Sequence, residues 1–413
     1  MERGDDYGLR TTRRQILKAG GALGALLGAG ASWAFAAGET DLGFQGGPSL
    51  RPMTTGFPQK GEMILQRTRP PLLETPFSVF DEGVFTPNDQ FFVRWHWSAL
   101  PTVVDPAIFR VAVSGAVERP LSLSLDDLLA MPRVEIVAVN QCSGNSRGRF
   151  TPRMPGAQWG DGAMGNARWL GVRLKDVLDK AGVRAGAQRV RFGGLDEPPV
   201  AGAPKFKKSI PVERALDGET MIAFAMNGEP LPFLNGYPLR LVVPGWYSTY
   251  WVKMLNTIEV LDGPDDNFWT AKAYMIPDTP GADVKPGQTG FKTIPINSMV
   301  PRSFVTNFSG GEIIPANRPT LLRGLAFGGD KGVKKVELSL DGANWRPATL
   351  ERDEGVYSFR RWSATIEPPA GEVKAMVRCI NADGLAQPLQ PTWNPSGFMR
   401  NVVETTLLKA ALA

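Results

Sequence analysis

Apolar and polar residues alternate along much of this chain at the two-residue period of half-buried strands, and only short stretches carry the 3.6-residue period of a helix. Residues 91–95, Phe-Phe-Val-Arg-Trp, and residues 109–113, Phe-Arg-Val-Ala-Val, read as strands. Residues 134–139 form an almost continuous apolar run, which predicts a buried strand feeding a polar loop. Residues 125–131 predict a short helix, and residues 174–181 a longer one with an apolar stripe and a stop at Gly182. Residues 240–245 read as a strand that Pro244 closes. Strands and helices mix without a βαβ rhythm, so the expected class for this part is α+β.

A Gly/Pro-containing stretch at 277–290 separates that part from a different pattern. Residues 320–324, 333–340, 346–350, 357–362 and 373–381 alternate apolar with polar positions, and Asp341-Gly342 and Asp383-Gly384 punctuate them as turns. Such spacing predicts an all-β, immunoglobulin-like sandwich. Residues 38–76 are Gly/Pro-rich and weakly periodic, as expected of an extended arm. The expected division is a leader at 1–36, an arm at 37–76, a catalytic domain at 77–287 and a sandwich at 288–413.

Charge and targeting signals narrow the classes. Lys and Arg number 46 against 41 Asp and Glu, and no basic block occurs, so a nucleic-acid partner is not expected. Thr11-Thr12-Arg13-Arg14-Gln15-Ile16-Leu17-Lys18, an Ala/Gly/Leu-rich run and Ala34-Phe35-Ala36 read as a twin-arginine export signal. The alternative, a membrane anchor, is disfavoured by the shortness of the run. Periplasmic location and no membrane span after signal removal follow as expectations. Export of a prefolded chain also hints at a cofactor inserted before transport. The two cysteines, Cys142 and Cys379, form no CxxC or CxxCH motif, and the single histidine is His96. A disulfide framework, a c-type haem and a multi-histidine metal site are thereby excluded.

After the apolar run at 134–139 comes Asn140-Gln141-Cys142-Ser143-Gly144-Asn145-Ser146-Arg147. A lone cysteine in a polar loop near an arginine can be a nucleophile, a metal ligand or a bystander. A cysteine nucleophile would have His96 as its only histidine base. Around it, Phe92-Val93-Arg94-Trp95-His96, the Cys142 loop, Gly156 to Ala163 with Trp159, Gly194-Leu195-Asp196, Met226 to Pro232, Gly236-Tyr237-Pro238-Leu239-Arg240, Val252-Lys253 and Ala273-Tyr274 follow one another in order. This ordered series resembles the sulfite oxidase family of molybdenum enzymes over nearly all of the mature chain, closest to bacterial periplasmic sulfite dehydrogenases.

The resemblance implies a pterin-bound molybdenum with Cys142 as its thiolate ligand, consistent with the affinity of soft sulfur donors for such metals. It implies oxidation of sulfite to sulfate, with Arg94 and Arg147 clamping the oxyanion. Trp159 would wall the pocket, His96 would stand beside the substrate, and Tyr274 would hydrogen-bond at the metal. The cofactor would be held by Phe92, Val93, Arg94, Trp95, His96, Asp196, Asn235, Arg240, Trp251, Val252 and Lys253, with Arg240 and Lys253 on its phosphate. Without the resemblance, Trp159 and Tyr274 read equally as core aromatics, Arg94, Arg240 and Lys253 as solvated charges, and Cys379 as a buried structural thiol.

Three departures from the animal members matter. One histidine cannot ligate a b-type haem, so electrons are expected to leave to a separate c-type cytochrome. Asn235 stands where those members carry a pterin-binding histidine. Their third substrate-site arginine is missing from Trp393-Asn394-Pro395-Ser396-Gly397, leaving Arg400 or His96 to compensate. The last domain resembles the family's dimerisation module, which implies a homodimer or a heterodimer with a cytochrome subunit. The rival readings are the sulfane dehydrogenase subunit of a sulfur-oxidising complex and a non-enzymatic exported binding protein.

Overall fold

The computed structural model describes residues 38–412, so the expected export signal lies outside the described residues. Among the described residues no helix is long and apolar enough to cross a membrane.

Strands dominate, in three sheets followed by a sandwich. In the central sheet Met164–Arg173 pairs antiparallel with Arg133–Gln141 on one side and Met221–Met226 on the other. Every residue of Met221–Met226 is buried, which explains its unbroken apolar composition, and Arg133–Gln141 becomes fully buried only over its last four residues. That gradient of burial carries the chain from the surface into the interior immediately before Cys142. A second sheet orders Lys207–Pro211, Arg189–Gly193, Thr257–Leu261, Arg110–Gly115 and Leu121–Ser124, with Thr257–Leu261 parallel to Arg110–Gly115.

The helices are short and follow local chemistry. Leu174–Ala181 buries Leu174, Val177, Leu178 and Ala181, the i, i+3, i+4, i+7 stripe of the sequence. Gly182 ends it at φ +71°, donating its N–H to Leu178 and Asp179, and a Cβ there would lie 2.8 Å from Glu118 Oε2. Leu125–Leu129, two residues shorter than expected, starts on a capping box between Ser124 and Asp127.

The arm departs from expectation. Glu39–Asp41, Leu50–Thr54, Met63–Arg67 and Leu72–Glu74 form a sequential antiparallel sheet, closed by Val93–Arg94. Its strands are short and separated by Gly/Pro turns, which hides their period. The strand expected over 91–95 shrinks to Val93–Arg94, because Phe91 and Phe92 turn into the core, where Phe91 meets Trp169 edge-on at 5.7 Å.

The last part is the expected sandwich. One sheet holds Arg302–Val305, Thr320–Phe327, Arg360–Ile366 and Thr349–Leu350; the other holds Ile313–Pro315, Glu404–Ala411, Gly371–Asn381, Val333–Ser339 and Arg346–Pro347. The segment expected as one strand at 346–350 is thus divided between the two sheets, and the one expected from 357 begins at Arg360. Trp362 and Cys379 sit in the sandwich's own apolar core, and burial pushes the Cys379 thiol up. Phe304, Leu325, Phe327, Phe359 and Phe398 join the larger core of the preceding sheets instead.

Candidate functional site

A cavity opens where the central sheet, the edge strand Val93–Arg94 and the segments around 235–253 and 274 converge. It is lined by Phe92, Val93, Arg94, His96, Asn140, Cys142, Ser143, Phe206, Leu234, Asn235, Arg240, Ser248, Thr249, Trp251, Lys253 and Tyr274. Three cations and one thiol line it, and no carboxylate does.

Each of these side chains is held by a traceable contact. Arg94 is fixed by the pairing of its strand, opposite Leu72. Lys253 Nζ donates to the Arg94 carbonyl at 2.8 Å and lies 4.4 Å from the centre of the Trp95 ring. Arg240 bridges to Lys253 through the backbone, donates Nη1 to the Asn235 carbonyl at 3.0 Å, and has Trp169 and Trp251 against its guanidinium. Burial, followed by repulsion from Arg240, lowers Lys253 to about 7, and burial lowers Arg240 to about 9. Five lining atoms, Arg94 Nη1, Asn140 Nδ2, Ser143 Oγ, Arg240 Nε and Thr249 Oγ1, are buried without a hydrogen-bond partner. Buried polar atoms are normally satisfied, so an uncompensated set of cations and orphaned donors fits an anionic group.

Cys142 leaves the end of Arg133–Gln141, and its loop is zipped to the segment that follows. Cys142 N–H donates to Ala163, Ser146 N–H to Gly160 and Gly148 N–H to Trp159. Ser146 Oγ donates to Asp161 at 2.6 Å, and Arg149 grips the same carboxylate. The zipper is anchored in turn by buried Glu74, whose carboxyl accepts from the N–H groups of Gly160 and Gly162. Burial nevertheless pushes Glu74 up to about 7. Strand Leu72–Glu74 therefore sets both Arg94, by pairing, and the thiol loop, through its last side chain.

Across the cavity, His96 Nε2 lies 2.6 Å from the Tyr274 hydroxyl. The imidazole stacks on Phe206 with centroids 3.6 Å apart, and Tyr274 stacks on Phe398 at 5.5 Å. Burial, then the positive charge of Arg94, Lys253 and Lys208, holds His96 well below its ordinary value, and burial raises Tyr274. Both groups are therefore neutral near pH 7, joined by one hydrogen bond.

Phe92, Val93, Arg94, His96, Cys142, Asn235, Arg240, Trp251, Lys253 and Tyr274, all expected from the sequence, are thus brought together. Five expected residues do not line the cavity. Arg147, expected as a substrate clamp, lies just behind the lining: it donates to the carbonyls of Ser396 and Ala157, lies over Phe398 and has its charge in range of Cys142 and Tyr274. Its side chain threads past Gly144, Gly156 and Gly397, where an added Cβ would come within 2.5, 2.8 and 2.9 Å of it. Trp159 is fully buried in the core rather than walling the pocket. Trp95 packs beneath Lys253 with its indole N–H donating to Leu234, and Val252 offers its carbonyl to Leu241. Asp196 stands behind Lys253, pushed up to about 6 by burial despite that charge.

Neither candidate supplies a third cation to replace the missing arginine. Arg400 lines a separate, larger cleft with Asp161 and Glu404, and His96 is present but neutral. Asn140, Ser143, Phe206, Leu234, Ser248 and Thr249 were not anticipated. Asn140 and Ser143 flank Cys142 and were findable from that adjacency; Phe206 carries no sequence signal. Among the described residues no group of three or more His, Cys, Asp or Glu side chains could hold a metal ion by itself.

Known proteins resemble this chain in sequence and fold. Residues 97–269 match the oxidoreductase molybdopterin binding domain, and residues 293–407 match the Mo-co oxidoreductase dimerisation domain. The chain is 36% identical to mitochondrial sulfite oxidase of Homo sapiens over 81% of its own length, and spans 63% of that protein. It is 34% identical to sulfite oxidase of Gallus gallus over 79% of this chain and 73% of that one. The crystal structure of the sulfane dehydrogenase SoxCD from Paracoccus pantotrophus superposes with a TM-score of 0.69 at 26% identity, covering 83% of this chain and 87% of that chain. With domains matched in this order and relatives this similar, the chain belongs to the sulfite oxidase family of molybdopterin-binding oxidoreductases.

Proposed function

We propose that this chain oxidises sulfite to sulfate at a molybdenum-pterin centre ligated by Cys142, outside the cytoplasm, and passes the electrons to a separate c-type cytochrome. The observation that carries this reading is the cavity lining, where the thiol shares the surface with Arg94, Arg240 and Lys253 and with no carboxylate. The residues fit the cofactor. Cys142 provides the soft donor, and Arg240, Lys253 and Asn235 form a cationic, hydrogen-bonding seat for a phosphate. When bound, this group supplies oxygen-atom transfer and takes up two electrons.

The chain's own residues do the rest. Arg94, with Nη1 unpartnered, binds a sulfite oxygen and orients the sulfur lone pair toward the cavity floor. As sulfite and water become sulfate, two electrons and two protons, Arg94 also stabilises the charge of the departing dianion. Tyr274 stays protonated and can pass a proton along its 2.6 Å contact to the neutral imidazole of His96. Phe206 and Phe398, stacked on that pair, limit water. The single histidine and the lack of CxxCH in this sequence favour an acceptor on another chain. The twin-arginine segment supports export, and the match to a dimerisation domain supports assembly through the sandwich, as a homodimer or with a cytochrome subunit.

A second reading, oxidation of a sulfane sulfur, is favoured by the likeness to SoxCD and by a cavity whose lining holds Arg94 and Arg240 but neither Arg147 nor Arg400. The test is a steady-state assay of purified, molybdenum-loaded protein with cytochrome c, comparing sulfite with thiosulfate and, in the reductive direction, methionine sulfoxide. Sulfite-dependent reduction of the cytochrome is expected. Turnover with thiosulfate and none with sulfite would replace the proposal by the sulfane reading.

A further inference from the structure

Lys60 lies in the arm, between Leu50–Thr54 and Met63–Arg67, yet it is 9% exposed and its head group reaches the back of the cavity. Its Nζ donates to the carbonyls of Asn88 at 2.8 Å and Phe91 at 2.9 Å and to Asn235 Oδ1 at 2.6 Å. All three acceptors are neutral oxygens. A buried ammonium satisfied only by dipoles retains its positive field, and the field is costly until an anion comes near. Burial accordingly lowers this lysine to about 7, with Asp89 opposing the change and Arg240 adding to it.

The contact with Asn235 has a directional consequence. An ammonium can only donate, so it forces the amide oxygen toward Lys60 and the amide nitrogen the other way. That nitrogen donates one hydrogen to the Phe92 carbonyl at 3.1 Å, and its second hydrogen remains available on a residue that lines the cavity. Arg240 occupies the Asn235 main-chain oxygen. Asn235 is thus held from both ends by cations and turned so that it offers a donor.

We propose that Lys60 is a positioning residue for the cofactor: it fixes the Asn235 amide as a donor facing the cavity, toward the seat of the cofactor's anionic group. This rests on the reading that the cavity holds a molybdenum-pterin. It also makes the arm part of the site.

The test uses the full chain with Lys60→Gln, whose amide still donates to two of the three oxygens, and Lys60→Met. Molybdenum and phosphorus per folded chain are measured after dialysis at pH 7, beside thermal unfolding of the cofactor-free proteins. The expected result is cofactor-free melting no lower than wild type, with molybdenum retention reduced about 10- to 100-fold, the range for losing an outer-shell partner of a metal site. Added to Asn235→Ala, Lys60→Gln should cost little more, because the two act in series. Unchanged retention, independent losses in the double variant, or failure of both Lys60 variants to fold without cofactor would each overturn the role. A wild-type chain purified without molybdenum would remove the parent reading instead.

Discussion

Two clusters of buried charge lie on either side of the Cys142 loop, and they are built on opposite principles. Toward the cavity, Lys60, Arg94, Arg240 and Lys253 gather around Asn235 with carbonyls and aromatic faces as their nearest partners. On the far side, Arg149, Arg302 and Arg400 meet Asp161 and Glu404, with Arg149 to Asp161 at 2.7 Å and Arg302 to Glu404 at 2.5 Å. Direct contact with a carboxylate reverses the response, whereas Arg400, 3.8 Å from Glu404, is still lowered by burial. The charge of Asp161 raises Arg149, and although burial alone would raise Asp161, Arg149 and Arg302 hold it below the usual carboxylate range. Burial lowers Lys60, Arg240 and Lys253. The second cluster pairs its arginines directly with carboxylates; in the first, Asp89 and Asp196 stand behind the lysines, and no carboxylate lines the cavity. Buried charge whose open side lacks a carboxylate marks the binding site, and buried charge paired directly marks the scaffold.

Removing one charge from each cluster should therefore have different consequences. Asp161→Asn leaves Arg149 without its acid and loosens Ser146, so thermal or denaturant unfolding should report a loss of about 3–5 kcal/mol. Arg240→Met should leave the cofactor-free chain as stable as wild type or more so, by up to about 4 kcal/mol, because an uncompensated buried charge is removed. The same variant should lose molybdenum on dialysis. If Arg240→Met melts well below wild type without cofactor, the two clusters do not differ as described.

The pH dependence sharpens the contrast. Lys60 and Lys253 have folded-state values near 7, below the ordinary value of 10.5, so the unfolded chain holds their protons more tightly between those limits. The stability associated with them is present above 10.5 and is lost as pH falls through 7. Glu74 runs the other way: its folded value near 7 lies above the ordinary 4.5, so its contribution is present below 4.5 and lost as pH rises through 7. Melting of the cofactor-free protein should thus rise with pH on the alkaline side of 7. An anion in the cavity raises both lysines, and the loaded protein should show a flatter profile. Smallest of all, Cys379→Ala should cost about 1 kcal/mol and leave molybdenum content unchanged, since that thiol only packs the sandwich.

Legibility in the sequence followed the range of the physics. Periodicity revealed the Leu174–Ala181 helix, the strand course of Arg133–Gln141, though only its last four residues are fully buried, and most of the sandwich, because each depends on neighbours within a few residues. Arg302–Val305 and Glu404–Ala411 were missed: Arg302 is wholly buried inside a strand, tolerated only because Glu404 on another strand neutralises it. The ordered motifs located Cys142, Arg94, Arg240, Lys253 and Tyr274. Motifs alone did not reveal that Arg147 turns away to Ser396, a choice made by glycines at 144, 156 and 397 that meet only in the fold. Lys60 and Glu74 were invisible for the same reason. Their partners are distant in the chain: Asn235 for one and the Gly160 and Gly162 N–H groups for the other.

The central claim is that Cys142 and the unneutralised cations around it hold a molybdenum-pterin that oxidises sulfite. Parallel measurement of molybdenum content and sulfite-dependent cytochrome c reduction on wild type and Cys142→Ser tests it most directly. Molybdenum should be equimolar with the wild-type chain, and turnover in the variant should be lower by orders of magnitude even where metal stays on the pterin. A wild-type chain free of molybdenum, or near-normal sulfite turnover without the Cys142 thiol, would contradict it.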